Sequence, residues 1–313
     1  MAAIPTVTLN NGNKMPQLGL GTWAMVEGEC REAIEYAISI GYRHIDTAML
    51  YGTEKEVGEA VRAKIEDGTV KRDELFITTK LWNTFHKDVV AACKKSLEFL
   101  GLDYLDLYLM HSPVAQQFVE EISYENFTAS PVIVNDFVET WKGMEECVKL
   151  GLTKSIGISN FNCKQVARIL EEATILPVTN QVEVTPLLTQ KKQIDFCKDR
   201  NILITAYSPF KCFTNASPHP DHPGTKMDHP IFLKIAQKYG KTPSQVILRY
   251  LVDKGTVPIP KSSNRGRIKE NMDIFDFELT DNEVAAVDGL NANYRGNRAF
   301  FLIESEEYPY HED

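Results

Sequence analysis

Eight short apolar runs, each followed by a helical pattern, constrain this 313-residue chain more than any other feature. They fall at 18–23, 44–47, 75–80, 105–111, 155–159, 178–183, 202–207 and 256–259. Helical patterns occupy 31–40, 53–66, 88–100, 137–150, 163–172, 189–199, 229–239, 243–253, a stretch from 264, and 280–289. Runs apolar on both faces are strands covered on both sides, and strands linked through helices lie parallel. Eight such units close most naturally into a (β/α)8 barrel. An open doubly wound sheet would want a glycine-rich turn after its first strand. Gly19-x-Gly21-Thr22-Trp23 lacks that dinucleotide fingerprint.

Turn chemistry adds detail. Gly41, Gly101 and Gly151 end three of the helices. Residues 6–9 and 14–17 alternate around Asn11-Gly12, which predicts an amino-terminal hairpin with positive φ at that dipeptide. Two stretches, 113–135 and 210–228, show no period and read as long loops at the carboxyl end of the barrel.

Composition narrows the class. At 43% hydrophobic residues, with no linker or low-complexity run, the expectation is one domain over 1–313. A net charge of −9 argues against a nucleic-acid partner. The six cysteines are scattered, with no zinc spacing and no disulfide framework. No run approaches the ~20 apolar residues that span a bilayer, and the start has no signal-peptide pattern. The reading is a cytoplasmic protein without membrane or metal, with monomer as the default.

In an α/β protein, chemistry collects at the carboxyl ends of strands. Strand two ends at Asp46 with Tyr51 just beyond, strand three at Lys80 and strand four at His111. Singly, each has an ordinary explanation: a cap, a surface lysine, a core histidine. Neighbouring strands, however, bring all four to one face. A phenol with an unperturbed pKa near ~10 is a poor acid at neutral pH unless a cation stabilises its phenolate. Lys80 can supply that charge, and Asp46 can hold Lys80. His111 can orient a carbonyl oxygen that Tyr51 protonates. The set is equipped for carbonyl reduction and lacks only a hydride, so it calls for a cofactor. A Schiff-base aldolase using Lys80 is a second reading, and a non-catalytic nucleotide-binding protein on the same fold a third.

Here the chain resembles the aldo-keto reductases, the NADPH-dependent barrel family. The resemblance runs through LGLGTW (18–23), GYRHIDTAMLYGTEKEVG (41–58), TKLWN (79–83), LDLYLMHSP (105–113), GISNF (157–161), NQVE (180–183), AYSPF (206–210), IPKS (259–262) and EYPYHED (307–313). It implies a catalytic set of Asp46, Tyr51, Lys80 and His111, with Tyr51 the proton donor, and NADPH/NADP+ as cofactor. It further implies Ser159, Asn160 and Gln181 at the nicotinamide amide, with Tyr207 stacked on the ring and Gly21, Thr22 and Asp46 bordering it. Ser208 and Phe210 fall beside the pyrophosphate. Lys261, Ser262, Asn264 and Arg267 fall around the 2′-phosphate, and Glu270 and Asn271 at the adenine. The Lys261, Arg265 and Arg267 cluster in an acidic chain suits NADP(H) by charge alone.

Two departures bear on substrate, which the resemblance implies is a small-molecule carbonyl compound. Ser112 stands where many members have tryptophan, and Val184-Thr185-Pro186 where His-Pro is common. Trp23, Trp82 and Phe118 are read as aromatic walls, with Tyr51, His111 and Ser112 facing the substrate. The 113–135 loop adds Gln116, Gln117, Tyr124 and Phe127. The expectation is an apolar pocket for bulky aldehydes or ketones, walled by 113–135, 210–228 and 290–313.

Overall fold

A computed structural model describes residues 3–119, 126–213 and 221–311. The chain opens with β1 (Thr6–Thr8) and β2 (Lys14–Pro16), paired antiparallel. The connecting turn differs from expectation in one detail. Positive φ falls on Gly12 alone, and Asn11 instead donates its side-chain amide to the Ser155 hydroxyl at 3.0 Å.

The barrel strands are β3 (Leu20–Gly21), β4 (His44–Asp46), β5 (Phe76–Leu81), β6 (Leu107–Met110), β9 (Ile156–Ser159), β10 (Thr179–Glu183), β11 (Leu203–Tyr207) and β12 (Thr256–Ile259). All pair parallel, each with its neighbour. The ring closes where Gly19 N–H donates to Pro258 C=O at 3.1 Å and Gly21 N–H to Pro260 C=O at 3.2 Å. This is the predicted (β/α)8 barrel. The 113–135 stretch holds order that its sequence does not advertise: β7 (Ala115–Gln116) and β8 (Val132–Ile133) pair antiparallel.

The helices run α1 (Glu29–Ile40), α2 (Glu54–Glu66), α3 (Val89–Leu100), α4 (Phe137–Lys149), α5 (Cys163–Glu172), α6 (Lys191–Lys198), α7 (Pro230–Tyr239), α8 (Pro243–Asp253), α9 (Arg265–Met272) and α10 (Asp281–Asp288). Their starts follow local chemistry. Asn162, Thr242 and Thr280 each accept the N–H three residues on, and Gln165, Gln245 and Glu283 reciprocate in capping boxes.

Two layers of apolar side chains hold this together. The outer one lies between the strands and the helices. The inner one fills the amino-terminal end of the barrel: Leu9 and Met15 of the hairpin meet Phe76, Leu107, Leu109, Val178 and Val257. Each fully buried aliphatic contributes roughly 1.5–3 kcal/mol of burial. The hairpin thus plugs one end and leaves polar chemistry the other. Among the described residues, no helix is long and apolar enough to cross a membrane.

Candidate active site

The strand order puts β4, β5 and β6 side by side. Asp46 closes β4. A single 3-10 turn, Met49–Tyr51, then lifts Tyr51 over the barrel mouth, and Gly52 at φ 69° ends that turn with its N–H on Met49 C=O. A side chain at Gly52 would be strained in that left-handed backbone. Alternation along β5 points Lys80 into the barrel and Thr79 out, where the Thr79 hydroxyl donates to Glu54 Oε1 at 2.6 Å. His111 follows the last residue of β6.

Lys80 is fully buried. Its Nζ donates to Asp46 Oδ1 at 2.6 Å, to Thr47 C=O at 2.9 Å and to the Tyr51 hydroxyl at 3.3 Å. Burial disfavours the ammonium, but Asp46 and Tyr51 more than offset it, and its pKa is raised. Tyr51 departs from the simplest expectation. Burial raises its pKa, Lys80 lowers it, Asp46 raises it, and the net direction is up. Burial and then the Lys80 charge drive the His111 imidazole well below the ordinary histidine value, so it is neutral.

The expected nicotinamide residues stand opposite and are linked to this group. Gln181 Nε2 donates to Asp46 Oδ2 at 2.8 Å, and the Ser159 hydroxyl to Gln181 C=O at 2.8 Å. Asn160 donates to His111 C=O at 2.8 Å and accepts from the Tyr207 and Tyr310 hydroxyls, both at 2.8 Å. One cavity is lined by Gly21, Trp23, Asp46, Tyr51, Trp82, His111, Ser112, Ser159, Asn160, Gln181, Tyr207, Ser208 and Lys261. Thr22 lies just behind it, its N–H and hydroxyl both on Asp46 C=O.

Other expected residues lie outside that cavity. Phe210 is half-buried against the outer core. Asn264 caps α9 by accepting from Arg267 N–H at 3.0 Å, and its own N–H donates to Ser262 at 3.2 Å. Lys261, Arg265 and Arg267 are exposed around that helix start. Glu270 accepts from the Thr242 hydroxyl at 2.8 Å, and Asn271 is buried beside it.

The expected walls need correction. Phe118 does not line the cavity: it is 54% exposed and rests edge-on against Phe85. Phe127 takes its place, edge-to-face with Trp82 at 5.9 Å and with Phe301 at 5.2 Å. Trp23 meets the Tyr51 ring at 4.8 Å and Trp82 meets His111 at 5.2 Å. Among the described residues, none from 210–228 lines the cavity; the carboxyl-terminal segment does, through Asn297, Phe301 and Tyr310. Tyr124 lies outside the described residues. The expected 290–313 wall is a segment without named wall residues; it includes Asn297, Phe301 and Tyr310, of which the two aromatics have a signal in the composition of the tail and Asn297 has none.

Comparison with known proteins identifies relatives of this chain. The Aldo/keto reductase family model matches residues 16–292. Aldo-keto reductase AKR2E4 of Bombyx mori is 44% identical, with 97% of each chain covered. The 3-alpha-hydroxysteroid dehydrogenase of Rattus norvegicus is 41% identical, again with 97% of each covered. The solved structure of the Bombyx mori enzyme in complex with NADP superposes with a TM-score of 0.92, over 99% of this chain and 100% of that one. The chain therefore belongs to the aldo/keto reductase family of oxidoreductases, which act on carbonyl and alcohol groups.

Proposed function

We propose that this chain is an NADPH-dependent carbonyl reductase for apolar, bulky aldehydes or ketones, with Tyr51 as proton donor. One observation carries the reading: a lysine buried behind the cavity wall touches two residues that line the cavity, Asp46 through Oδ1 at 2.6 Å and Tyr51 through its hydroxyl at 3.3 Å. A reduced nicotinamide bound beside it supplies the hydride. Tyr51 gives its proton to the carbonyl oxygen as negative charge develops there, and Lys80 stabilises the phenolate left behind. Neutral His111 orients the same oxygen. Its Nδ1 is buried without a partner among the described residues. An orphaned N–H is less tolerable than an unused lone pair, so the proton belongs on Nε2, as a donor.

The residues also fit the cofactor. Ser159, Asn160 and Gln181 offer amide partners next to the Asp46–Lys80 pair, and Tyr207 an aromatic face. Three exposed cations at the start of α9 suit a phosphate, since helix N-termini and guanidinium groups both favour anions. Arg267→Ala is expected to weaken NADPH binding by about tenfold while NADH binding stays within about twofold. Fluorescence titration with both nucleotides checks this, and an equal loss for the two would remove Arg267 from the phosphate site.

Substrate size follows from Ser112. It is buried in the wall, its Oγ occupied by the Val114 N–H at 3.1 Å, and it carries little bulk. The similarity to a hydroxysteroid dehydrogenase supports a large substrate. A panel from benzaldehyde to progesterone, followed by NADPH absorbance, tests the reading directly. Ser112→Trp should lower kcat/KM for progesterone about tenfold or more and for benzaldehyde less than about threefold, since a filled subsite rejects only the ligand that needs it. A parallel loss for both carbonyls would contradict the pocket assignment.

A further inference from the structure

We propose that Glu183 is a positioning residue for substrate selection, clasping the carboxyl-terminal segment over the cavity. The inference deepens the reductase reading and rests on it. Glu183 ends β10, and its carboxylate is fully buried. Its two oxygens are both taken by one short stretch of backbone. Oε1 accepts from Gly296 N–H at 2.9 Å and Oε2 from Asn297 N–H at 2.7 Å. A carboxylate presents a separate acceptor oxygen to each of the two adjacent N–H groups, where an amide would present one oxygen and one N–H₂ donor.

The approach is close. A Cβ built at Gly296 would sit 2.7 Å from Lys211 Cγ and 3.0 Å from Glu183 Oε1. Immediately beyond the clasp the segment enters the cavity wall with Asn297, Ala299, Phe301 and Leu302, then Pro309 and Tyr310. Its far end is tied to α5, where Asn162 donates to Pro309 C=O at 3.1 Å and Gln165 to Glu307 C=O at 2.9 Å. Between the two ties, Phe301 packs on Phe127. The wall that a bulky carbonyl compound would touch is therefore a strap held at both ends, and Glu183 is one of the barrel's holds on the near end. Asp46, Lys80, Tyr51 and His111 stand on other strands and loops and make no hydrogen bond to Glu183 among the described residues.

Glu183→Gln keeps size and shape but turns one amide N–H₂ toward a backbone N–H. We expect kcat/KM for progesterone to fall about tenfold, mainly through KM, with benzaldehyde changed less than about threefold. NADPH affinity should stay within about threefold. Trypsin, which can cut after Arg295 and Arg298 in the strap, should cleave there faster than in the unaltered enzyme. Gly296→Ala presses the same clasp from the other side and should move every readout in the same direction; it carries the test if the glutamine variant does not fold. Equal losses on both carbonyls, or unchanged selectivity with unchanged tryptic cleavage, would overturn the proposal. If the unaltered enzyme oxidises NADPH with neither carbonyl, the reductase reading fails instead, while the tryptic comparison still decides the clasp.

Discussion

Tyr51→Phe is expected to lower kcat for carbonyl reduction by about 1,000-fold while leaving NADPH affinity within about twofold. The change removes one oxygen atom, the one 3.3 Å from Lys80 Nζ. The ring's edge contact with Trp23 persists, so the cavity keeps its shape. Stopped-flow reduction and nucleotide titration on the same preparation separate the two effects. Turnover within about tenfold of the unaltered enzyme would assign the proton to another group.

The pH dependence of the unaltered enzyme tests the same assignment independently. Reduction needs Tyr51 protonated, and burial holds its pKa above the ordinary 10.0. His111 lies well below 6.5 and stays neutral. Lys80 lies above 10.5 and stays charged. None of these three groups changes state across neutral pH. The reductive rate should therefore be flat there and fall only as pH rises through the tyrosine's pKa. Alcohol oxidation needs the phenolate and should rise over that same alkaline range. A break in the reductive profile near 6.5 would mean that a histidine titrates in the rate-limiting step.

The parts of this molecule that were legible in its sequence share a physical cause. Strands covered on both faces are short, largely uncharged runs between helices, so β4, β5, β6 and β9 to β12 announce themselves. Consecutive parallel strands are neighbours, so Asp46, Lys80 and His111 could be placed together before any coordinate was known. The illegible parts lack a period. β7 and β8 are two residues each, too short for alternation to be read. Phe118 and Phe127 lie in the same aperiodic stretch of sequence, yet one rests outside on Phe85 and the other faces Trp82. Only the chain path after β6 decides between them. Glu183 reads as one more polar strand end, because its partners are backbone N–H groups more than a hundred residues away. The direction of the Tyr51 shift was also hidden. The opposing cation was visible in sequence, but the burial that outweighs it was not.

Lys80→Met separates the two jobs of the buried ammonium, and both losses should be large. Methionine fills nearly the same volume, so packing is conserved, while the charge between Asp46 and Tyr51 disappears. Asp46 keeps Gln181 as a donor at 2.8 Å but loses its 2.6 Å partner inside a site where it is 2% exposed. Breaking one side of a buried ion pair costs about 3 kcal/mol or more, because the remaining charge is uncompensated. Thermal denaturation should register that as a fall of several degrees in Tm. Turnover should drop about 100-fold or more, since nothing then stabilises the phenolate as Tyr51 releases its proton. The double variant Asp46→Asn, Lys80→Met discriminates between the roles. Removing both charges takes away the unpaired carboxylate, so most of the lost stability should return. Activity should not return with it, because the cation that favours proton release is still missing. Recovery of both together would reduce Lys80 to a structural partner of Asp46, and recovery of neither would mean that the pair supports the barrel mouth by packing rather than by charge.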